Sequence, residues 1–319
     1  MKTRPLGRIP HCVSEIGLGT AQLANTSGEF RGVRHVSSAN AQSIIESAIS
    51  HGVSFFDTAD RYGTVESMLG ELKPELKAKI FVATKAGLTE DGQRDFSASY
   101  LKSRVDHSRN QLCVDSLDLF QLNKPKLSDL QDGRLFEFLS WLKETGRSRY
   151  CGVVIGDLET GDLCLEAEPV DCIQVMYNLL YLDTDDLIGR AHESGIGVIA
   201  RSPLNSGMLS GAYTVDTTFG SEDERSNYFT THVLEERLRV VSAILDELPL
   251  PVEHLLNFAL RFILANKAIS VVIPGASTIA QVNSYVAASQ EPAISAGDLE
   301  RIKSIVGGHL QSLRQTFQT

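Results

Sequence analysis

The chain has 319 residues, a net charge of −10 and 42% apolar residues, ordinary figures for a globular protein able to bury a large core. The acidic balance excludes a nucleic-acid groove, which needs clustered Lys and Arg, and no run approaches the roughly 18 apolar residues that a membrane span requires. MKTRPLGRIPHC lacks the apolar stretch of a signal peptide, and the five cysteines form no CxxC pair, so reduced thiols in a cytoplasmic protein are expected, with no disulfide framework and no zinc site.

Short apolar runs alternate with amphipathic segments along the chain. Ile16–Leu18 reads as a strand closed by Gly19, and Ala39–His51 as a helix with Ile44, Ile45, Ala48 and Ile49 at helical spacing. Strand Val53–Asp57 follows, then helix Val65–Lys73, strand Ile80–Thr84, helix Ser97–Gln111, strand Leu117–Gln121 and helix Leu135–Glu144. The alternation continues through strand Cys151–Ile155, helix Leu158–Glu166, strand Asp171–Val175, helix Thr184–Ser194 and strand Gly197–Ala200. It breaks at Ser202–Thr231, a long polar segment rich in Gly and Thr that reads as a functional loop. Helices Leu234–Leu248 and Val252–Asn266, strand Ile269–Ile273, and helices Ile279–Ala288 and Ala296–Leu313 come last.

Eight strands, each followed by helical sequence and undivided by a Pro/Ser linker, predict a parallel sheet closed into one (β/α)8 TIM barrel, a single domain over residues 1–319. The rival open, doubly wound sheet usually carries a GxGxxG turn after its first strand. Here that position reads GLGTAQLA, without the third glycine.

In a barrel, catalytic groups sit where strands end and βα loops begin. Strand two ends FFDTADRYG and supplies Asp57 and Tyr62; strand three ends FVATKAG and supplies Lys85; strand four ends LFQLNKP and supplies Asn123. The four types are complementary. A free tyrosine, with a pKa near 10, is a poor acid at neutral pH. A neighbouring ammonium is expected to lower that pKa, and a carboxylate to keep the lysine charged. Such a set donates a proton to a carbonyl oxygen as hydride reaches carbon, with Asn123 adding an uncharged hydrogen bond to the same oxygen. Taken singly, Asp57 reads as a turn cap, Lys85 as a rim charge and Tyr62 as packing; the joint pattern is what points to chemistry. The eight histidines lie away from strand ends with no metal-ligand spacing, so no metal site is expected.

GVSFFDTADRYGTVESMLGELK resembles the aldo-keto reductase signature G-x4-D-T-A-x2-Y-G-x2-E-x2-(L/I/V)-G, matching Asp57, Tyr62, Gly63, Glu66 and Gly70, and FVATKAG resembles that family's lysine strand. The likeness runs on through SPLNSGMLSG and VIPGAS. It implies a barrel that binds NADPH in extended form without a Rossmann domain, with Tyr62 as proton donor. Most members carry histidine where this chain has Asn123; the asparagine resembles the branch that includes the potassium-channel β subunits.

The same resemblance implies a cofactor groove. Gly19, Thr20 and Asp57 border it, Gln174 holds the carboxamide, and the usual Ser-Asn after strand five is replaced by Val154 and Ile155. Arg201 stands where an aromatic residue often stacks on the nicotinamide. Stacking, a role toward an anionic substrate and an unrelated salt bridge all remain open for it. Ser202, Leu204, Asn205, Ser206, Gly207 and Leu209 match the pyrophosphate loop, and Gly275, Ser277 and Gln281 the adenosine end, with Tyr285 in place of an adenine-contacting asparagine. No Lys or Arg lies between Lys267 and Arg301 to clamp a 2′-phosphate, which leaves Arg225 to supply it and NADH as an open alternative to NADPH. The expected reaction is NAD(P)H-dependent reduction of a small-molecule aldehyde or ketone. Alternatives are a regulatory subunit of the channel-β kind with slow turnover, and alcohol oxidation or a non-redox step at the same site. The substrate and the oligomeric state are left open, although Arg31 and Arg34 in loop one suit an anionic or sugar-like substrate.

Overall fold

The structure is a computed structural model that describes residues 1–24, 36–89, 91–221 and 223–317; Arg31 and Arg34 lie outside the described residues. A hairpin of β1 (Thr3–Leu6) and β2 (Ile9–Ser14) comes first. Eight strands of one sheet follow: β3 (Leu18–Gly19), β4 (Phe55–Asp57), β5 (Phe81–Ala86), β6 (Leu117–Asn123), β7 (Ser148–Val154), β8 (Cys172–Met176), β9 (Gly197–Arg201) and β10 (Val271–Val272). Each pairs in parallel with the next in sequence. Bridges Ile16–Val272 and Gly19–Gly275 join the first strand to the last. This is the expected (β/α)8 barrel, with strand limits displaced by up to three residues.

Side-chain alternation sorts the strands into an outside and an inside. Phe56, Phe120, Leu122, Val153 and Ile173 point outward and join the core beneath the helices. Phe55, Phe81, Ala83, Leu119, Cys172, Ile199 and Val271 point inward and fill the barrel. Continuing two residues at a time toward the C-terminal ends, the inward positions turn polar: Asp57, Lys85, Gln121, Asn123, Gln174 and Arg201. The apolar layers therefore form the floor on which the polar layer rests.

The hairpin is absent from the sequence-based expectation. Pro5 within it disguises an edge strand, and its turn depends on Gly7, at φ +59°, where a Cβ would lie 2.3 Å from the Gly197 nitrogen. Leu6, Ile9 and Val13 plug the N-terminal end of the barrel. Arg4 fastens the plug through carbonyls of Leu264, Asn266 and Ile269 and an ion pair with Glu15.

Two expected helices differ in extent. Val65–Lys73 stops at Gly70, and a further helix, Pro74–Lys77, starts beyond it at its proline. Ala296–Leu313 divides into Ala296–Gly308 and Leu310–Phe317, where Gly307 and Gly308 weaken the helix by about 1 kcal/mol each. The segment 202–231 is a loop, as expected, with 3-10 turns at Asn205–Ser210 and Glu224–Asn227. No single helix is long and apolar enough to cross a membrane, no His/Cys/Asp/Glu group among the described residues is arranged to hold a metal ion, and all five cysteines are unpaired.

Candidate active site and cofactor groove

A cavity of about 770 Å³ opens at the C-terminal ends of the strands, lined at one end by Asp57, Tyr62, Lys85 and Asn123. The strands that carry them are adjacent, so backbone pairing sets their spacing. Lys85 Nζ donates to Asp57 Oδ2 at 2.5 Å and to the Thr58 carbonyl at 2.8 Å. Both side chains are almost wholly buried. The second Asp57 oxygen accepts from Gln174 Nε2 at 2.7 Å and Gln121 Nε2 at 3.3 Å, and Gln174 Nε2 also meets Gln121 Oε1 at 3.2 Å. One buried carboxylate is thus satisfied from β5, β6 and β8 at once.

Tyr62 stands above this network, half-buried, with Lys85 Nζ 5.0 Å from its ring centroid and hydrogen-bonded to it. Here one expectation needs correcting. Burial raises the Tyr62 pKa above its ordinary value, and Lys85, although it pulls the other way, does not reverse the shift. Burial on its own would discharge Lys85, but Asp57 and Tyr62 outweigh it and hold the lysine above its usual range. The tyrosine therefore rests as a neutral acid beside a permanent cation, and Lys85 acts on the phenolate that forms when the proton leaves.

The loop carrying Tyr62 is held from behind. Tyr62 N donates to the Ala59 carbonyl and Asp60 N to the Lys85 carbonyl. Arg104 clamps Asp60 through its carboxylate (Nε–Oδ2 2.6 Å) and its carbonyl (3.0 Å). Glu66, from the signature segment, accepts from Thr84 Oγ1 at 2.6 Å, and burial pushes its pKa up to about 7. It acts as a buried tie between helix and strand, away from the cavity.

From the reaction centre the cavity runs past Gln174 and Arg201 to Ser202, Leu204, Ser206 and Gly207, and on to Gly275, Ser277, Gln281 and Tyr285; Gly19 and Arg225 also line it. Three other expected positions do not. Thr20 is buried and donates to the Asp57 carbonyl at 2.9 Å, which fixes the strand end. Asn205 is turned inward, accepting from Arg237 Nη1 at 2.7 Å, and the Leu209 side chain is in the core. These residues shape the groove without lining it.

The loop from Ser202 to Gly211 is strained. Ser202, Asn205 and Ser206 have φ of +54°, +47° and +54°, ahead of Gly207 at +97°. Successive residues of this kind turn their amides into a concavity suited to an anion. Tyr213 Oη donates to the Ser206 carbonyl at 2.7 Å and accepts from Arg225 Nη1 at 2.9 Å. Arg225 in turn forks onto both oxygens of Asp223. At the far end, Gln281 Oε1 accepts from the backbone of Ser277 and Thr278, so it caps the helix Ile279–Gln290, and Tyr285 Oη donates to the Gly275 carbonyl at 2.7 Å.

These residues fit an extended dinucleotide. The groove is long, the strained loop offers the neutral Ser202 and Ser206 at mid-length, and Asp223, a carboxylate beside it, is already paired with Arg225. Gln121, Lys124, Tyr213, Asp223 and the Asp60–Arg104 clamp escaped the reading of the sequence. Of these, counting back by twos from Asn123 along β6 would have found Gln121; the others depend on loop geometry.

Comparison with known proteins agrees with this architecture. A family model described as the aldo/keto reductase family matches residues 15–306. An uncharacterized oxidoreductase, YqkF of Bacillus subtilis, is 27% identical over 95% of this chain and 96% of its own length. L-galactose dehydrogenase of Arabidopsis thaliana is 28% identical over 91% of this chain and 89% of its own. Among solved structures, the aldo-keto reductase AKR11C1 from Bacillus halodurans in its holo form superposes with a TM-score of 0.78 at 26% identity, covering 96% of both chains.

Proposed function

The chain belongs to the aldo/keto reductase family and is an oxidoreductase of the carbonyl/alcohol type; on that premise we propose that it reduces an aldehyde or ketone with NADPH, using Tyr62 as the proton donor. The observation that carries the reading is the Asp57–Lys85 pair, closed at 2.5 Å beneath Tyr62 on the wall of a groove long enough for a dinucleotide.

The cofactor supplies the hydride. Gln174, with its NH2 committed to Asp57 and Gln121, keeps its carbonyl oxygen as an acceptor for the carboxamide. Ser202, Leu204, Ser206 and Gly207 hold the pyrophosphate, Gly275, Ser277 and Tyr285 the adenosine, and Arg225 the 2′-phosphate. Tyr62 passes its proton to the carbonyl oxygen. Lys85, anchored by Asp57, stabilises the phenolate left behind, and Asn123 donates to the same oxygen. Run backward, the same groups accept a proton from an alcohol, so the residues serve both directions.

The test is direct. Titration of NADPH and NADH, followed by the fluorescence of the sole tryptophan, Trp141, is expected to give NADPH a micromolar dissociation constant. NADPH consumption is expected with aldehydes, ketones or α-dicarbonyls. Failure of both cofactors to bind below about 1 mM, roughly 4 kcal/mol of affinity, sinks the proposal.

A further inference from the structure

The cavity wall carries a charged feature that hydride and proton transfer do not use. Lys124 follows Asn123 at the end of β6 with a φ of +55°. That left-handed backbone costs a lysine on the order of 1 kcal/mol and is poorly suited to the residue before a proline, here Pro125. The conformation is held by Arg94 Nε, which donates to the Lys124 carbonyl at 3.2 Å. Its effect is to set Lys124 on the cavity wall together with Arg201 and Arg61.

Arg201 starts from β9 and reaches across the end of β8 to the Ile155 carbonyl after β7 (Nη2–O 3.4 Å), toward the side where β6 ends. The buried Nε atoms of Arg201 and Arg61 have no hydrogen-bond partner among the described residues. No carboxylate among them forms an ion pair with Lys124, Arg201 or Arg61, whereas Lys85, Arg104 and Arg225 are each paired with one. The crowding is felt: the charge of Arg201 first, then burial, then Arg94 and Lys85, bring the Lys124 ammonium down to about 8. Lys124 and Arg201 are close enough to repel each other, and Arg61 lines the same cavity.

We propose that Lys124 and Arg201, with Arg61 beside them, form an oxyanion subsite that selects carbonyl substrates bearing a carboxylate or phosphate group. The inference rests on the reductase reading above. A guanidinium fork and an ammonium on separate strand ends match an oxyanion by charge-assisted hydrogen bonds, and an anion seated there relieves the repulsion that now weakens Lys124. The 2′-phosphate at the adenosine end is not the occupant. In the closed strand order, β6 lies four strands from β10 in either direction, so Lys124 faces the adenosine end from across the mouth. Arg201 lines the same cavity and would contact both the cofactor and the anion.

The experiment compares matched pairs, with NADPH as hydride source: butanal against 4-oxobutanoate, and glyceraldehyde against glyceraldehyde 3-phosphate. The anionic member is expected to have the higher kcat/KM, by tenfold or more, in at least one pair; which pair tells carboxylate from phosphate. Lys124→Met is expected to lower the anionic-to-neutral ratio ten- to a hundredfold, and Lys124→Arg to restore most of it. In parallel, succinate and inorganic phosphate are titrated calorimetrically into the wild-type protein and into Lys124→Met. Binding that needs Lys124, in a protein that binds neither NADPH nor NADH, supports the subsite and overturns the reductase reading. Equal kcat/KM within each pair, or a ratio that Lys124→Met leaves unchanged, overturns the subsite and leaves the reductase reading standing.

Discussion

At the floor of the cavity, Asp57 takes an ion pair from β5 and amide hydrogen bonds from β6 and β8. Along the cavity's long wall, the loop Ser202–Gly211 holds its shape with left-handed backbone and a few side-chain ties. The floor is preorganised by the sheet, so its distances are as stiff as the strand pairing, and nearly all its polar capacity is spent internally. The loop spends about 1 kcal/mol at each of Ser202, Asn205 and Ser206; the amides of Asn205, Gly207 and Leu209 bond to its own carbonyls, and Ser202, Leu204 and Ser206 line the cavity where a ligand would sit. The division suits the proposed chemistry: groups that stabilise a transient charge are fixed, while groups that grip a departing cofactor are held by ties that can yield. Substitutions of Tyr62 and Lys85 at the floor should therefore change turnover and leave cofactor affinity alone, and substitutions in the loop should do the reverse.

The largest effect is expected from Tyr62→Phe, which removes one hydroxyl from a side chain already shaped to its site. Loss of a general acid is worth roughly 10²–10⁴-fold in rate. Carbonyl reduction should fall by that factor while the NADPH dissociation constant stays within about threefold, the allowance for a lost weak contact. Activity surviving within about twofold removes Tyr62 as the proton donor. A parallel collapse in NADPH affinity breaks the division between floor and loop.

Lys85→Met tests the floor as structure. It leaves Asp57 buried with two amide donors and no cation, and breaking a buried pair from one side typically costs about 3–5 kcal/mol. Denaturant unfolding should show a loss toward the lower end of that range, because Gln121 and Gln174 still donate. The double variant Asp57→Asn/Lys85→Met should recover most of the stability and none of the activity. An unchanged unfolding midpoint in the single variant means that the pair contributes nothing net to the fold.

The same contrast explains what was legible in the sequence. Asp57, Lys85, Asn123 and Gln174 sit on strands, where a period of two and the end of an apolar run locate a residue in space. Gln121 was equally readable and was passed over because it lies within the apolar run rather than at its end. The pKa direction at Tyr62 was not readable: a sequence places a lysine nearby but does not say how much water the fold removes. Lys124, Tyr213 and Asp223 were invisible because loop positions obey no period, and Lys124 takes a left-handed φ that no glycine announces. The hairpin was missed for a related reason, since its register rests on Gly7 meeting Gly197 across the barrel floor.

Arg225→Ala has the smallest expected effect and separates two roles for one side chain. Its guanidinium forks onto Asp223, donates to Tyr213 Oη, lies over the Phe219 ring at 4.8 Å and lines the groove. If it grips a 2′-phosphate, NADPH weakens and NADH does not. A hydrogen bond to a charged group is worth about 1.5–3 kcal/mol, discounted here because Asp223 already neutralises part of the charge and the site is partly open to water. About tenfold selective weakening of NADPH is therefore expected. If Arg225 instead only secures Tyr213 against Ser206, its loss loosens the loop for both cofactors alike, and the two dissociation constants rise together. Asp223→Asn sharpens the choice, because it returns charge to Arg225 while keeping a polar neighbour. A clamp should then bind NADPH several-fold more tightly relative to NADH, whereas a latch should weaken both. Equal shifts for the two cofactors in both variants would assign Arg225 to the loop's architecture and leave the 2′-phosphate without the clamp proposed for it.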